Sequence, residues 1–171
     1  MTKWRHILIA AVAGLLLLGG SAASARGGDD DDTRTKLLGY EEVPAISTDG
    51  KGNFRAEISQ RRQELEYRLQ YQGLSAPVLQ AHIHFGQFAV NGGISVFLCS
   101  NLGNGPAGTP ECPDSGTVRG TLTAAQVVGP GAQGIDPGDF DKLVGAIDAE
   151  IAYVNVHTDR FPGGEVRGQL D

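Results

Sequence analysis

Glu64-Leu65-Glu66-Tyr67-Arg68-Leu69-Gln70-Tyr71 alternates without a fault: Leu65, Tyr67, Leu69 and Tyr71 fall on one side of an extended chain, and Glu64, Glu66, Arg68 and Gln70 on the other. Alternation of this length predicts a strand with one face in a core and one in water. Residues 53–59 repeat the pattern with Phe54, Ala56 and Ile58, and Gln60-Arg61-Arg62 makes the turn between the two runs. Further strands are expected at 37–40, 79–85, 94–99, 117–123, 151–158 and 165–170, separated by loops full of Gly and Pro. One helix fits between them, with Asp136 as its cap, Pro137 at its first position, and Phe140, Leu143, Val144 and Ile147 on one face. Short strands at a spacing of roughly ten residues predict an all-β fold, a Greek-key-like antiparallel β-sandwich or barrel with one short helix.

The chain has 171 residues, enough for one core. Residues 1–25 read as an export signal: Lys3, Arg5 and His6 begin it, residues 7–18 are apolar except for Gly14, and Ala23-Ser24-Ala25 is a small-x-small cleavage site. The apolar run is shorter than the ~20 residues of a membrane span. Cleavage after Ala25 leaves 146 residues with twelve basic and twenty acidic side chains, a net charge of −8. So acidic a chain disfavours nucleic-acid and anionic-membrane partners. The expected location is extracytoplasmic, periplasmic or secreted, with no membrane span once the signal is removed. Residues 26–35, which include the run Asp29-Asp30-Asp31-Asp32, are expected to be a solvated, disordered linker, and residues 36–171 the folded domain. Calcium loops intersperse glycine and spacing residues between their acids, and this run does not.

Cys99 and Cys112 enclose twelve residues rich in Gly, Pro and Asn. In an oxidising compartment they are expected to form a disulfide. A metal on the two thiols is the alternative, disfavoured because no His lies between them.

Three segments follow one template. They are Gly52-Asn53-Phe54-Arg55-Ala56-Glu57-Ile58, Gly116-Thr117-Val118-Arg119-Gly120-Thr121-Leu122 and Gly164-Glu165-Val166-Arg167-Gly168-Gln169-Leu170. On strands, the apolar, small and aliphatic positions point inward, and Arg55, Arg119 and Arg167 point outward. The small position then leaves room for a side chain of the opposing sheet. The arginines are expected to pair with surface acids such as Glu57 and Glu165; a cluster for an anionic ligand is the other reading.

After signal removal three histidines remain. His82 and His84 flank Ile83 on a strand, so both rings share a face, ~7 Å apart at Cα. His157 shares a face with Tyr153 and Asn155 on another predicted strand. If the two strands pair, His82, His84 and His157 form a set suited to zinc or copper with an open position. The competing reading has the rings donate to backbone carbonyls, Asp159 or Glu165. A metal held by free imidazoles is expected to be lost below about pH 6.

Ala81-His82-Ile83-His84-Phe85-Gly86, then Asn91-Gly92-Gly93-Ile94, then Tyr153-Val154-Asn155-Val156-His157-Thr158 and Pro162-Gly163-Gly164-Glu165-Val166-Arg167-Gly168-Gln169-Leu170, resemble the CHRD domain. This module is named from chordin and occurs singly in secreted bacterial proteins. The resemblance runs from about Leu37 to Leu170. Phe85 stands where that family usually has Gly after the second His. The resemblance implies an all-β extracellular domain and no reaction; chordin antagonises bone morphogenetic proteins, and growth-factor binding does not transfer by fold alone. It marks His82, His84, His157 and Arg167 as motif positions without a chemical role; Asn155, beside His157, and Arg119, of the repeated template, are further motif positions. A weaker likeness is to copper/zinc superoxide dismutase, also a sandwich with a His-x-His strand and a disulfide-tied loop. No fourth His and no zinc loop accompany it here, so only a mononuclear site would survive.

Two functions remain in view. One is a non-catalytic module binding a protein, a cell-wall component, a small molecule or itself, with residues 140–147 and 103–113 as contact surfaces. The other is a mononuclear copper or zinc protein. No catalytic residue is assigned.

Overall fold

The computed structural model describes residues 30–171, with side chains from Asp31 onward. The expected signal segment and residues 26–29 lie outside the described residues. Eight strands follow in order: β1 (Asp30–Leu38), β2 (Lys51–Ser59), β3 (Glu64–Gln72), β4 (Val78–Phe85), β5 (Gly93–Ser100), β6 (Gly116–Thr123), β7 (Ala152–Thr158) and β8 (Val166–Gln169), with α1 (Phe140–Asp148) between β6 and β7. All pairings are antiparallel, in the order β5-β4-β7-β8-β1-β2-β3-β6. Two four-stranded halves, β5-β4-β7-β8 and β1-β2-β3-β6, face each other across one core. They join at the single pair Leu38–Arg167, and β5 approaches β6 at the far side, so the barrel nearly closes. Among the described residues no helix is long and apolar enough to cross a membrane.

The alternation in β3 does what its pattern requires. Leu65, Tyr67, Leu69 and Tyr71 are buried beside Phe54, Ala56 and Ile58 of β2 and Val118 and Leu122 of β6. Strand β7 differs, because every one of its residues is buried. Val154 and Val156 face the core, whereas Tyr153, Asn155 and His157 lie on the opposite face and are covered by loops.

Three expectations need correction. The acidic segment is not a free linker from 30 to 35: β1 begins at Asp30 and pairs residue by residue with β2, Asp30 opposite Ser59 through Leu38 opposite Lys51. A ladder asks only for backbone groups, and Asp31 and Asp32 satisfy it with their side chains in water. Buried Thr33 anchors the strand through Oγ1, which donates to the Asp171 carbonyl (3.0 Å). The helix starts at Phe140 rather than after Asp136, with Asp139 at the N-cap position. Gly138 adopts φ +90°, which an α-helix cannot contain, so Asp136–Gly138 turn before it begins. Asp139 Oδ2 accepts from Lys142 Nζ (2.6 Å) and Asp136 N (3.2 Å) instead of capping. Finally, only one side of the helix is left as a contact surface: Phe140, Leu143, Val144 and Ile147 are buried in the core, while Asp141, Lys142, Gly145 and Asp148 are exposed.

The repeated template lands on β2, β6 and β8, with its small positions filled in an unexpected way. The space at Gly120 is taken by the Tyr67 ring of the adjacent strand β3, 2.7 Å from where a Cβ would stand. The space at Gly168 is taken by the Lys36 carbonyl of β1. Neighbours in the same sheet, not side chains from the opposing layer, exclude a larger residue.

A buried triad of histidines under two loops

Strand pairing brings the three histidines together. His82 lies opposite Asn155, His84 opposite Tyr153, and Gln80 opposite His157, all on the face of β4 and β7 turned away from the core. One nitrogen from each ring lies within 4.8 Å of the others. The shortest approach is His82 Nδ1 to His157 Nε2, 3.1 Å. Loop 86–92 and the segment that follows β7 close over this face, leaving His82, His84 and His157 at 0, 7 and 6 % exposure.

Carbonyl oxygens fix two of the tautomers, because a carbonyl can only accept. His84 Nδ1 donates to Gly92 O (3.0 Å) and His157 Nδ1 donates to Pro162 O (2.9 Å). Both Nε2 atoms are therefore lone pairs. Carbonyls thus do receive two of the rings, as one reading of the sequence had it, while Asp159 and Glu165 do not. These bonds use only the outer nitrogens and orient the inner ones, as outer-shell partners do at metal sites.

Burial keeps the rings neutral. It pushes the His82 imidazole down to about 2, with repulsion from His157 and His84 adding to it. Burial likewise lowers His84 to about 4, against the bond to Gly92 O and with help from His157 and Arg167. His157 is also lowered, chiefly by burial. Inside the fold His82 and His84 therefore resist protonation well below pH 6, and the value of free imidazole does not describe them.

Arg167 is not an outward surface arginine. It is 1 % exposed, and its guanidinium lies over the Tyr153 ring, 3.4 Å from the centroid. Its Nη2 donates to Gln87 O (3.1 Å) and Val90 O (3.0 Å), and its Nη1 to Asn91 Oδ1 (3.4 Å). The other Tyr153 contact is His84, stacked at 4.8 Å with planes 5° apart. Tyr153 Oη accepts from Gly92 N (3.1 Å). One arginine and one tyrosine thus clamp loop 86–92 over the histidines. The sequence pattern put Arg167 in water because it assumed that the outer face of β8 stayed bare.

Glu42, missed in the sequence, stands near Arg167 and Asn155; burial raises its carboxyl to about 7 even though Arg167 and hydrogen bonds pull the other way. Nothing in its local sequence signals this; only the path of the loop after β1 does. Six buried side-chain atoms lack a hydrogen-bond partner among the described residues. Four are His82 Nε2, His84 Nε2, Asn155 Oδ1 and Glu42 Oε1, all of this cluster. Buried polar atoms are ordinarily satisfied, so their concentration here marks an incomplete site.

Glu165 has a different role. Its carboxylate is fully buried and accepts from Thr48 Oγ1 (2.6 Å), Ser75 N (2.8 Å), Ser75 Oγ (2.9 Å) and Thr158 Oγ1 (2.7 Å). It ties two loops to β7 and pairs with no arginine. Cys99 and Cys112 are joined in a disulfide, and Asn101 stitches the same loop: its Nδ2 donates to Val78 O and Cys112 O, and its Oδ1 accepts from Cys112 N. Arg119 is exposed on β6, remote from the triad in the other half of the barrel.

Comparison with the curated proteins and with the solved structures gives no significant match. The CHRD domain matches residues 33–170, from within β1 to just beyond β8. With that span, the His-Ile-His strand and the Asn155-Val156-His157 strand beside it, this chain belongs to the CHRD domain family.

Proposed function

We propose that this protein is an exported, non-catalytic CHRD binding module whose ligand is one transition-metal ion, copper or zinc, held by His82, His84 and His157. The observation that carries the reading is the set of neutral, buried ring nitrogens turned toward one another, each of the outer two oriented from behind by a carbonyl. Imidazole suits both metals. Bonds of 2.0–2.1 Å place two ligand nitrogens at most about 4.1 Å apart, so the 3.1 Å pair already fits and the widest separation, 4.8 Å, closes by a small ring rotation. Three ligands leave a fourth position, yet loop 86–92 covers it, which favours retention over turnover. The disulfide agrees with an oxidising compartment, and cleavage after Ala25 belongs to the same reading.

The test is metal content. Protein purified without a histidine tag is stripped, reloaded with zinc or copper(II), desalted and analysed by elemental mass spectrometry. About one ion per chain is expected, with most of it lost in both His82→Ala and His84→Ala. Equal metal content in wild type and the double variant would refute the reading.

A further inference from the structure

Register places four arginines in a single row on the outer face of the other half of the barrel. Arg34 of β1 lies opposite Arg55 of β2, Arg55 opposite Arg68 of β3, and Arg68 opposite Arg119 of β6. The row crosses all four strands at right angles. At the ~4.8 Å strand spacing it is about 14 Å long, with one positive charge on each strand. The sequence template suggested a cluster of Arg55, Arg119 and Arg167; folding takes Arg167 away and supplies Arg34 and Arg68.

Like charges directly opposite one another destabilise a sheet. Asp171 lies beside the row and Asp32, Glu57 and Glu66 stand two residues along the strands, but none of them closes onto it. Among the described residues no ion pair joins Arg34, Arg55, Arg68 or Arg119 to a carboxylate, and Arg68 reaches only the Gln70 amide (3.4 Å). Arg34, Arg55 and Arg119 are exposed and Arg68 is half-buried. Two shallow grooves meet along the row, sharing Arg34, Arg55, Arg68 and Asp171. Such a row, on a chain whose net charge is −6, is a local concentration of positive charge.

Its borders say what fits. Two residues along the strands on one side stand Lys36, Asn53, Gln70 and Thr117; on the other stand Asp32, Glu57, Glu66 and Thr121. The first border offers an ammonium, two amides and a hydroxyl, good partners for sugar hydroxyls. The second repels any anion broad enough to overlap it, so a wide polyanion such as duplex DNA is excluded while a single thin chain is not. No aromatic side chain stands in either border, and single-stranded nucleic acid relies on such rings for stacking. We propose that the Arg34-Arg55-Arg68-Arg119 row binds a linear acidic polysaccharide laid across the four strands, its carboxylate or sulfate groups paired with successive guanidinium groups. Arginine suits either group, because its planar fork can bond two oxygens at once. The site is in the half of the barrel remote from the histidines and does not depend on the metal reading.

Fluorescence anisotropy at low salt, using the full chain, tests this. The probes are labelled oligosaccharides of alginate (carboxylate) and heparin (sulfate), with neutral dextran and oligothymidylate beside them. Binding to an acidic oligosaccharide is expected, weakening as salt rises, with none to dextran; which of the two binds identifies the charged group. Arg55→Gln/Arg68→Gln should lower affinity at least tenfold while leaving the melting temperature unchanged or higher, since it removes like-charge repulsion. Glu66→Gln should tighten binding, and Arg160→Gln, exposed after β7 in the half of the barrel that carries the histidines, should leave it unchanged. Binding to neither acidic oligosaccharide, equal binding by the double arginine variant, or tighter binding of oligothymidylate would overturn the proposal.

Discussion

The Arg167 guanidinium and the Tyr153 ring are in face contact at 3.4 Å, and loop 86–92, which covers the histidines, is held through this pair. Arg167 holds Gln87 O and Val90 O, while Tyr153 takes the Gly92 N–H on its hydroxyl and His84 on its ring. Replacing Arg167 by Met keeps much of the volume and leaves two carbonyls without donors. The expected cost is about 2–4 kcal/mol, from the lost charged hydrogen bonds and the lost cation–π contact. Hydrogen exchange should accelerate first at residues 86–92. Unchanged exchange there, in a folded variant, would show that the loop does not depend on Arg167.

The disulfide and Asn101 hold the 100–113 segment by separate means. Opening the Cys99–Cys112 link in a Cys99→Ser/Cys112→Ser variant should cost about 3 kcal/mol of unfolding free energy in urea, by loop entropy. Asn101→Ala should cost roughly a further 1–3 kcal/mol, because Cys112 N and the Val78 and Cys112 carbonyls lose their partner. The two losses are expected to fall short of additivity, since both groups order the same loop. Strict additivity would mean that the two fasten independent pieces of chain.

Most of the fold could be read from alternation, because a strand with one wet face writes its burial into every second residue, as at Leu65 to Tyr71. The face shared by His82, His84, Asn155 and His157 could be read the same way. What alternation cannot express is a face covered by a loop. Arg167 looks like a surface residue by its template and becomes one of the most buried side chains only because loop 86–92 lies across it. Glu42 and Asn101 act from irregular backbone, where no period exists to announce them. The aspartates of β1 mislead for the opposite reason: their strand is held by backbone pairing and by Thr33, while their charges stay in water.

Acid should destabilise the metal-free protein from about pH 6.5 downward. His82, His84 and His157 are all lowered in the fold, so the unfolded chain gains three protons near 6.5 that the folded chain refuses. Glu42 opposes them: its carboxyl, raised to about 7 by burial, takes a proton in the fold before it does when unfolded, a gain on acidification. Three against one leaves a net loss, with a slope of up to about 2.7 kcal/mol per pH unit. At lower pH Glu165 adds to it. Burial works against its ionised form, but four hydrogen bonds hold it below its ordinary value; the stability this gives is present above the unfolded value and lost as pH falls through the folded one. Melting of metal-free protein should therefore drop between pH 6.5 and 5. A flat profile over that range would contradict burial of the neutral triad.

A bound metal should raise stability without changing that acid slope, and the rise separates metal binding from mere burial of the rings. An ion that binds only the folded chain stabilises it by about 2.7 kcal/mol at a hundredfold excess over Kd. For a chain of this size that raises Tm by about 5–10 °C. Zinc at neutral pH should produce such a shift in wild type and in Tyr153→Phe, which leaves all three inner nitrogens in place, and none in His84→Ala. As pH falls from 6.5 to 5 with zinc present, the shift should hold roughly constant, because the imidazoles take no protons in the fold with or without the ion and only the unfolded chain titrates. A shift of equal size in His84→Ala would place the ion elsewhere on the chain. A shift that shrinks in step with free imidazole titration would mean that the ligands are exposed rings outside this buried cluster.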